Sequence, residues 1–165
     1  VTKVSTDGRF LGPGCVRYLI GTSYLAATDF VQSFYPGLQS NRSAVSSYYS
    51  DVTPTILFNG NVVADGKAVQ DIFMNQMPPS HFEVQSYDCH IINPAYPTPA
   101  TGGRFGNKPA VKNMSILVIV SGYVRFGETK DLPQRGFSET FVLVPNPAKS
   151  GKEWLIQSQN FRLVV

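Results

Sequence analysis

Charged residues are scarce in this chain of 165 residues: Asp, Glu, Lys and Arg make up only 15% of it, and histidine occurs twice. The longest apolar run, at 116–120, is far shorter than the roughly 20 residues that a membrane-spanning helix needs. Two cysteines are too few for the disulfide framework of a small secreted domain. The composition, 42% hydrophobic, instead predicts a soluble domain with a substantial core and no membrane contact.

Motifs that carry chemistry are missing as well. His81 and His90 belong to no cluster with the spacing of metal ligands, and neither cysteine lies in a CxxC motif. The chain also lacks the GxxxxGK[ST] loop that binds phosphates and the GxSxG turn of serine hydrolases. We therefore expect no metal, no cofactor and no small-molecule substrate.

The net charge of +3 is unevenly distributed along the chain. Residues 1–95 hold five Lys and Arg against seven Asp and Glu, whereas residues 96–165 hold nine against four. These nine cations are spread without an adjacent pair, while a nucleic-acid-binding surface concentrates them on one face. Tight, sequence-specific DNA binding is not expected.

Two segments show no hydrophobic period. Residues 1–14 are Gly-rich and polar, and we expect a flexible leader or expression remnant there, followed by a single domain over 15–165. A Pro/Gly-rich loop at about 95–112 is longer than most loops inside compact domains. Its cations could contact RNA or cargo, although keeping the loop soluble is the favoured interpretation; they are Arg104, Lys108 and Lys112.

The hydrophobic pattern predicts helices first and strands afterwards. Apolar residues recur every three or four positions from Arg17 to Tyr35, and shorter helices are expected at 42–49 and 67–76. Asn59-Gly60 predicts a hairpin at 55–64. Four long strands follow without intervening helices, at 82–92, 114–126, 137–144 and 154–164. This order predicts an α+β domain with an antiparallel sheet.

Residue parity separates the two faces of such a sheet, because side chains alternate across a strand. In strand 114–126 one parity is purely apolar and forms the core face, but the other mixes apolar and polar residues. The last strand also has apolar residues on both parities, with Trp154 and Ile156 on that of Arg162. Since a sheet wetted on one side alternates cleanly, we expect the second face to contact another protein. The predicted contact residues are Ser121, Tyr123, Arg125, Ser158, Asn160 and Arg162.

Asp88 and His90 are the one pair that suggests catalysis. Parity places them on the strand face of Phe82 and Val84, where an apolar cavity could shift their pKa values. Two polar residues on a strand face are more often hydrogen-bonded structure or interface. An isomerase or dehydratase is therefore the less favoured alternative, and we do not expect an enzyme.

Several segments together resemble a known family. Over residues 17–165 the chain is similar to the small subunit of the mRNA export receptor heterodimer, represented by the nuclear transport factor two-related export proteins of animals and the mRNA transport regulators of fungi. The segments are LFNGNVV at 57–63, PPSHFEVQSYDC at 78–89, LVIVSGYVRF at 117–126, FSETFVLVPNP at 137–147 and WLIQSQNFRLV at 154–164. The resemblance implies the nuclear transport factor two-like cone, in which a curved antiparallel sheet packs over three helices.

The resemblance also implies a non-enzymatic adaptor. Small subunits of the family pair through their sheet faces with the related domain of the large export receptor. The heterodimer carries messenger ribonucleoprotein through nuclear pores by contacting Phe-Gly nucleoporins, with ribosomal subunits as a further candidate cargo. The resemblance further implies that the protein is located in the nucleus and at the nuclear pore and shuttles to the cytoplasm. It also implies that any contact with RNA is indirect or weak. The family's terminal FR[FL] arginine faces a partner carboxylate, and Arg162 occupies that position here.

A homodimeric import carrier of the same fold, which binds Ran-GDP, is the alternative within the family. Such a carrier would need an acidic rim around a hydrophobic cavity. Asp88 and Asp131 are the only candidates for that rim in this sequence.

Overall fold

The computed structural model describes residues 13–92, 114–148 and 151–164, with side chains from residue 21 onwards. Most of the expected leader and the whole 95–112 loop, with Arg104, Lys108 and Lys112, lie outside the described residues. The helical elements are α1 (Pro13–Ser40), a 3-10 helix (Arg42–Tyr48), and α2 (Gly66–Asp71), which runs into a π-helical turn (Ile72–Gln76). The strands are β1 (Thr55–Phe58), β2 (Asn61–Val63), β3 (Ser80–Ile92), β4 (Ser115–Phe126), β5 (Arg135–Pro145) and β6 (Trp154–Val164).

Over the part of the chain that the structure describes, the strands form one sheet in the order β2-β1-β6-β5-β4-β3. The four long strands are antiparallel neighbours, as predicted. β1 instead runs parallel to β6, so the sheet is mixed rather than purely antiparallel. β1 and β2 form the predicted hairpin, with Asn59 and Gly60 at φ 49° and 86°, the left-handed conformation of a two-residue turn.

Helix α1 is longer than predicted at both ends. It begins at Pro13, inside the expected leader, and proline suits a first turn because its missing N–H would have no intrahelical partner. The helix also continues through Pro36, which the sequence predicted to end it. Contacts with other elements explain this: the Tyr48 hydroxyl donates to the Ser33 carbonyl at 2.8 Å, and Leu38 is buried beyond the proline.

The two shorter helices form where they were predicted. The first is a 3-10 helix, and the side chain of Asn41, the residue before it, makes no capping hydrogen bond. The second begins after Asp65, whose carboxylate accepts a hydrogen bond from the Ala68 backbone N–H at 2.8 Å.

The core lies between α1 and one face of the sheet, which we call the inner face. Phe30 and Phe34 on α1 pack edge-on against Phe141 of β5, with ring centroids 4.9 and 5.3 Å away. The apolar parity of β4 is confirmed as the core face, because its residues from Ile116 to Val124 are fully buried. We call the opposite side of the sheet the outer face.

Two β-bulges invert the predicted parity in β3 and β6, because one extra residue exchanges the faces of everything after it. In β6 the register with β5 shifts at Gln157. Trp154 and Ile156 are therefore buried on the inner face, and their predicted place beside Arg162 is wrong. In β3 the register with β4 shifts at Gln85, with the same effect on the residues that follow.

Candidate partner-binding face

Strand register places the outer-face side chains in rows that cross the sheet. One row runs from Ser86 through Ser121 and Ser138 to Arg162, on β3, β4, β5 and β6. The hydroxyls of Ser86 and Ser121 lie 2.8 Å apart. Arg162, at the end of this row, is exposed, and its guanidinium makes no hydrogen bond or ion pair with any described residue. Its guanidinium is therefore available to an external acceptor.

Large apolar side chains are exposed in the neighbouring rows. Ile119 lies opposite Thr140, and Tyr123 lies opposite Gly136, which Val164 faces from β6. The exposed fractions are 40% for Ile119, 46% for Tyr123, 59% for Val164 and 81% for Val62 on β2. Exposed apolar groups gathered on one face are typical of a protein-binding surface.

All six residues predicted from parity lie on the outer face. Those of β4 and those of β6 are separated by β5, whose Ser138 and Thr140 lie between them and belong to the same surface. These two were not predicted from the sequence, although they alternate with the buried Phe137, Glu139 and Phe141 and parity could have found them.

Arg125 differs from Arg162 in its surroundings. It lies opposite His81 of β3, is half-buried, and its Nε is inaccessible without an acceptor among the described residues. A buried donor without an acceptor costs about 1–3 kcal/mol. The side chain is thus not held in place by any polar contact of its Nε.

A closed polar network occupies the inner face below the outer-face rows. The Tyr35 hydroxyl donates to Glu139 Oε2, and Gln159 Nε2 donates to Glu139 Oε1, both at 2.6 Å. The Tyr49 hydroxyl donates to Gln159 Oε1, also at 2.6 Å. Burial raises the pKa of Glu139 to about 7, although its two donors oppose the shift. Burial also raises the pKa of both tyrosines well above 10.0.

This network was not predicted from the sequence. Glu139 is 1% exposed and its two oxygens already accept hydrogen bonds inside the core, so the carboxyl is not presented to a substrate. Such fully satisfied buried groups specify how β5, β6 and α1 pack.

Asp88 and His90 do not lie in an apolar cavity as the catalytic hypothesis required. The bulge at Gln85 moves them to the outer face, away from Phe82 and Val84. Their carboxylate Oδ2 and imidazole Nε2 are 3.2 Å apart, but the side chains are 75% and 62% exposed, where an ion pair is weak. The environment that would prepare them for acid–base catalysis is absent.

The acidic rim required by the import-carrier alternative does not form from the expected residues. Asp131 is exposed in the β4–β5 connection, beyond the end of β4 at Phe126. Asp88 pairs with Ile119, near the opposite end of the same strand. The two carboxylates thus belong to different ends of the sheet.

Metal and membrane sites find no support in the described ranges. Within 13–92, 114–148 and 151–164, no three His, Cys, Asp or Glu residues converge as metal ligands would. Among the same residues no helix is long and apolar enough to cross a membrane.

Residues 26–163 match the nuclear transport factor 2 (NTF2) domain family. NTF2-related export protein 1 of Bos taurus is 28% identical over 143 residues, which cover 87% of this chain and 89% of that protein. The solved "Chaetomium thermophilum Mex67 NTF2-like domain complexed with Mtr2" contains a chain with a TM-score of 0.70 and 25% identity, covering 86% of this chain and 98% of that one. A chain of "Sac3N peptide bound to Mex67:Mtr2" has a TM-score of 0.68 and 26% identity, with coverages of 86% and 99%. The implied α+β cone is confirmed, and the chain belongs to the NTF2 domain family.

Proposed function

We propose that this chain is the non-enzymatic adaptor subunit of an mRNA export receptor, and that its outer face binds the NTF2-like domain of the large subunit. The similar solved complexes support this proposal, because one joins the Mex67 NTF2-like domain to Mtr2. The similar Bos taurus protein is named as an export protein. The observation that carries the proposal is the outer face itself. There the exposed side chains of Ile119 and Tyr123 lie near Arg162, whose guanidinium has no acceptor among the described residues.

The chemistry of this face suits a permanent partner. Tyr and Arg are enriched at protein interfaces, and apolar side chains such as Ile119 form the dry centre that such contacts need. Arg162 stands at the end of a row of serines, whose small side chains leave room for a partner carboxylate to approach. An Arg–carboxylate pair is often bidentate, which fixes the orientation of the two subunits.

Location and cargo follow from the same proposal. The heterodimer would carry messenger ribonucleoprotein, with ribosomal subunits as a further candidate cargo, through nuclear pores. Contact with Phe-Gly nucleoporins would be made by the heterodimer, and the chain would shuttle between nucleus and cytoplasm. RNA contact would be indirect or weak, with Arg104, Lys108 and Lys112 as the residues to test for it.

The replacement Arg162→Glu tests the interface. Purified chain is titrated with the Mex67 NTF2-like domain by isothermal calorimetry, and Lys130→Glu, an exposed residue of the β4–β5 connection, is the matched control. Losing one partner of a desolvated charge pair costs about 2–5 kcal/mol, so the affinity should fall at least about 30-fold. Equal affinities for the two variants would remove Arg162 from the interface.

Light scattering on a sizing column separates the proposal from the import-carrier alternative. The chain alone and its mixture with the Mex67 NTF2-like domain are measured at equal concentrations. The proposal expects a stable one-to-one complex. A homodimer that does not take up the partner domain would overturn it and favour the import carrier.

A further inference from the structure

A second candidate site lies on the other side of the molecule, in a groove of about 490 Å³ beside α1. Its size is within the roughly 300–1,000 Å³ of ligand-binding pockets. One wall is α1, and the other comprises the end of the 3-10 helix and the start of β6. The floor consists of buried apolar and aromatic side chains, namely Ala26, Phe30, Tyr48 and Trp154.

The wall formed by α1 is one continuous side of the helix. Its lining residues recur every three or four positions from Thr22 to Ser33, whereas Ala27, Val31 and Phe34 are directed into the core. Leu25, on this wall, is 64% exposed although it adjoins an apolar floor. The groove therefore offers apolar surface that the rest of the described chain does not cover.

The charges at the rim are unbalanced. The Nζ of Lys152 lies 3.9 Å from the centre of the Tyr48 ring and donates to the Ser47 hydroxyl at 3.1 Å, so this cation is already engaged. The side-chain carboxylates of Asp29 on one wall and Glu153 on the other are exposed, and neither makes a hydrogen bond or ion pair with any described residue. Each wall thus presents one unpaired carboxylate above the apolar floor.

We propose that the groove binds a peptide segment in which an apolar side chain is flanked by Lys or Arg. The floor desolvates the apolar side chain, and the flanking cations meet Asp29 and Glu153. The two carboxylates outnumber Lys152, the cation at the same rim, so the groove disfavours the phosphates of RNA. The six outer-face residues proposed to bind the large subunit take no part in lining this groove, so both sites can be occupied together.

Fluorescence anisotropy with three short labelled peptides tests the proposal. The first has a Leu-Phe centre with two Lys on each side, the second replaces every Lys by Glu, and the third is an uncharged Phe-Gly repeat. The Lys peptide should bind at least about tenfold more tightly than either of the others, and its affinity should fall as salt is raised to physiological strength.

Substitutions test whether the Lys peptide binds in the groove. The double variant Asp29→Lys with Glu153→Lys and the single variant Leu25→Ser should each weaken binding of the Lys peptide by about tenfold or more. Glu128→Lys with Asp131→Lys makes the same charge change in the β4–β5 connection and should leave affinity within about twofold. All of these positions are exposed, so thermal melting should show intact folds.

Three outcomes would overturn the proposal: no binding of the Lys peptide, equal binding of the three peptides, or equal weakening by the groove and control variants. The heterodimer proposal is judged separately. Arg162→Glu should not change peptide affinity, and Leu25→Ser should not change affinity for the Mex67 NTF2-like domain. A failure at one site therefore leaves the result at the other intact.

Discussion

The two faces of one sheet use polar residues in opposite ways. On the inner face Glu139 and Gln159 are closed off in hydrogen bonds to tyrosines and to each other. On the outer face Arg162 has no described acceptor, and Ile119 remains exposed. Adjacent residues of β5 can belong to either arrangement, as Glu139 and Thr140 show. Polar residues of the inner face thus specify the fold, whereas those of the outer face are available to a partner.

The largest difference in stability between the two faces is expected for alanine substitutions at two glycines of adjacent strands, Gly122 on the inner face and Gly136 on the outer face. At inner-face Gly122 an added Cβ would meet the backbone carbonyl oxygen of Glu83 at 2.1 Å, beside the bulge of β3. Gly122→Ala should cost about 3 kcal/mol or more, because backbone cannot move aside as a side chain can. At outer-face Gly136 the nearest atom would be Val164 Cβ at an ordinary 3.4 Å.

Urea unfolding of both alanine variants provides the measurement. Gly136→Ala should change stability by less than about 1 kcal/mol, since strands disfavour glycine and the added Cβ would make ordinary van der Waals contacts with Val164. Equal losses would show that the close approach at Gly122 does not limit the fold.

Stability should decrease as the pH rises through neutrality. The folded-state pKa of Glu139 is raised to about 7, from 4.5 in an exposed chain. Because the folded protein holds the Glu139 proton more tightly than the unfolded chain does, protonation of this carboxyl stabilises the fold. This contribution to the unfolding free energy is fully present below pH 4.5 and is lost as the pH rises through 7. Between about pH 5 and pH 8 the loss should be roughly 2–3 kcal/mol.

Glu139→Gln should make the unfolding free energy nearly independent of pH over this range, as followed by chemical denaturation. Glu128→Gln, an exposed carboxylate on the β4–β5 connection, is the control and should keep the wild-type slope. If Glu139→Gln keeps the slope as well, another group carries the pH dependence.

Removing a buried tyrosine hydroxyl should cost more stability than removing a half-buried one. Tyr35→Phe removes a donor to the buried carboxyl and should cost about 1.5–3 kcal/mol. Tyr87→Phe removes a 3.0 Å contact with Thr28 that solvent can partly replace, and should cost about 0.5–1 kcal/mol. Thermal and urea unfolding of the two variants check the ranking, and the reverse order would contradict it.

The smallest change in stability is expected on the outer face. Ile119→Ser and Tyr123→Ser remove exposed apolar groups and should alter the unfolding free energy of the isolated chain by less than about 0.5 kcal/mol. The same variants should weaken binding to the Mex67 NTF2-like domain at least about fivefold. Loss of stability with unchanged binding would show that these side chains belong to the fold.

The sequence predicted most of the architecture because its signals are local. Asn59-Gly60 requires a tight turn, and the apolar parity of β4 runs without a bulge from Ile116 to Val124. The outer-face assignment of Ser158, Asn160 and Arg162 holds because these three lie on the same side of the bulge at Gln157, whereas Trp154 and Ile156 lie before it and face the core.

The errors have non-local causes. Nothing within β6 or β3 indicates the extra residue that reverses the parity of Ile156 and Asp88, since bulges depend on the neighbouring strand. The partners of Glu139 come from α1 and β6, far away in the chain. Pro36 lies within α1, where Tyr48, on a different element, donates to the Ser33 carbonyl in the turn before the proline. Such distant pairings cannot be read from local periodicity.

The parallel pairing of β1 with β6 has a consequence for biosynthesis. Thr55 pairs with Ser158, more than a hundred residues later, and β6 also bonds to β5 on its other side. During translation the hairpin of β1 and β2 therefore cannot pair with the rest of the sheet until β6 has emerged from the ribosome. Contacts of such high sequence separation slow folding and leave strand edges open in the meantime. The nascent chain is thus most vulnerable to aggregation just before its sixth strand is translated.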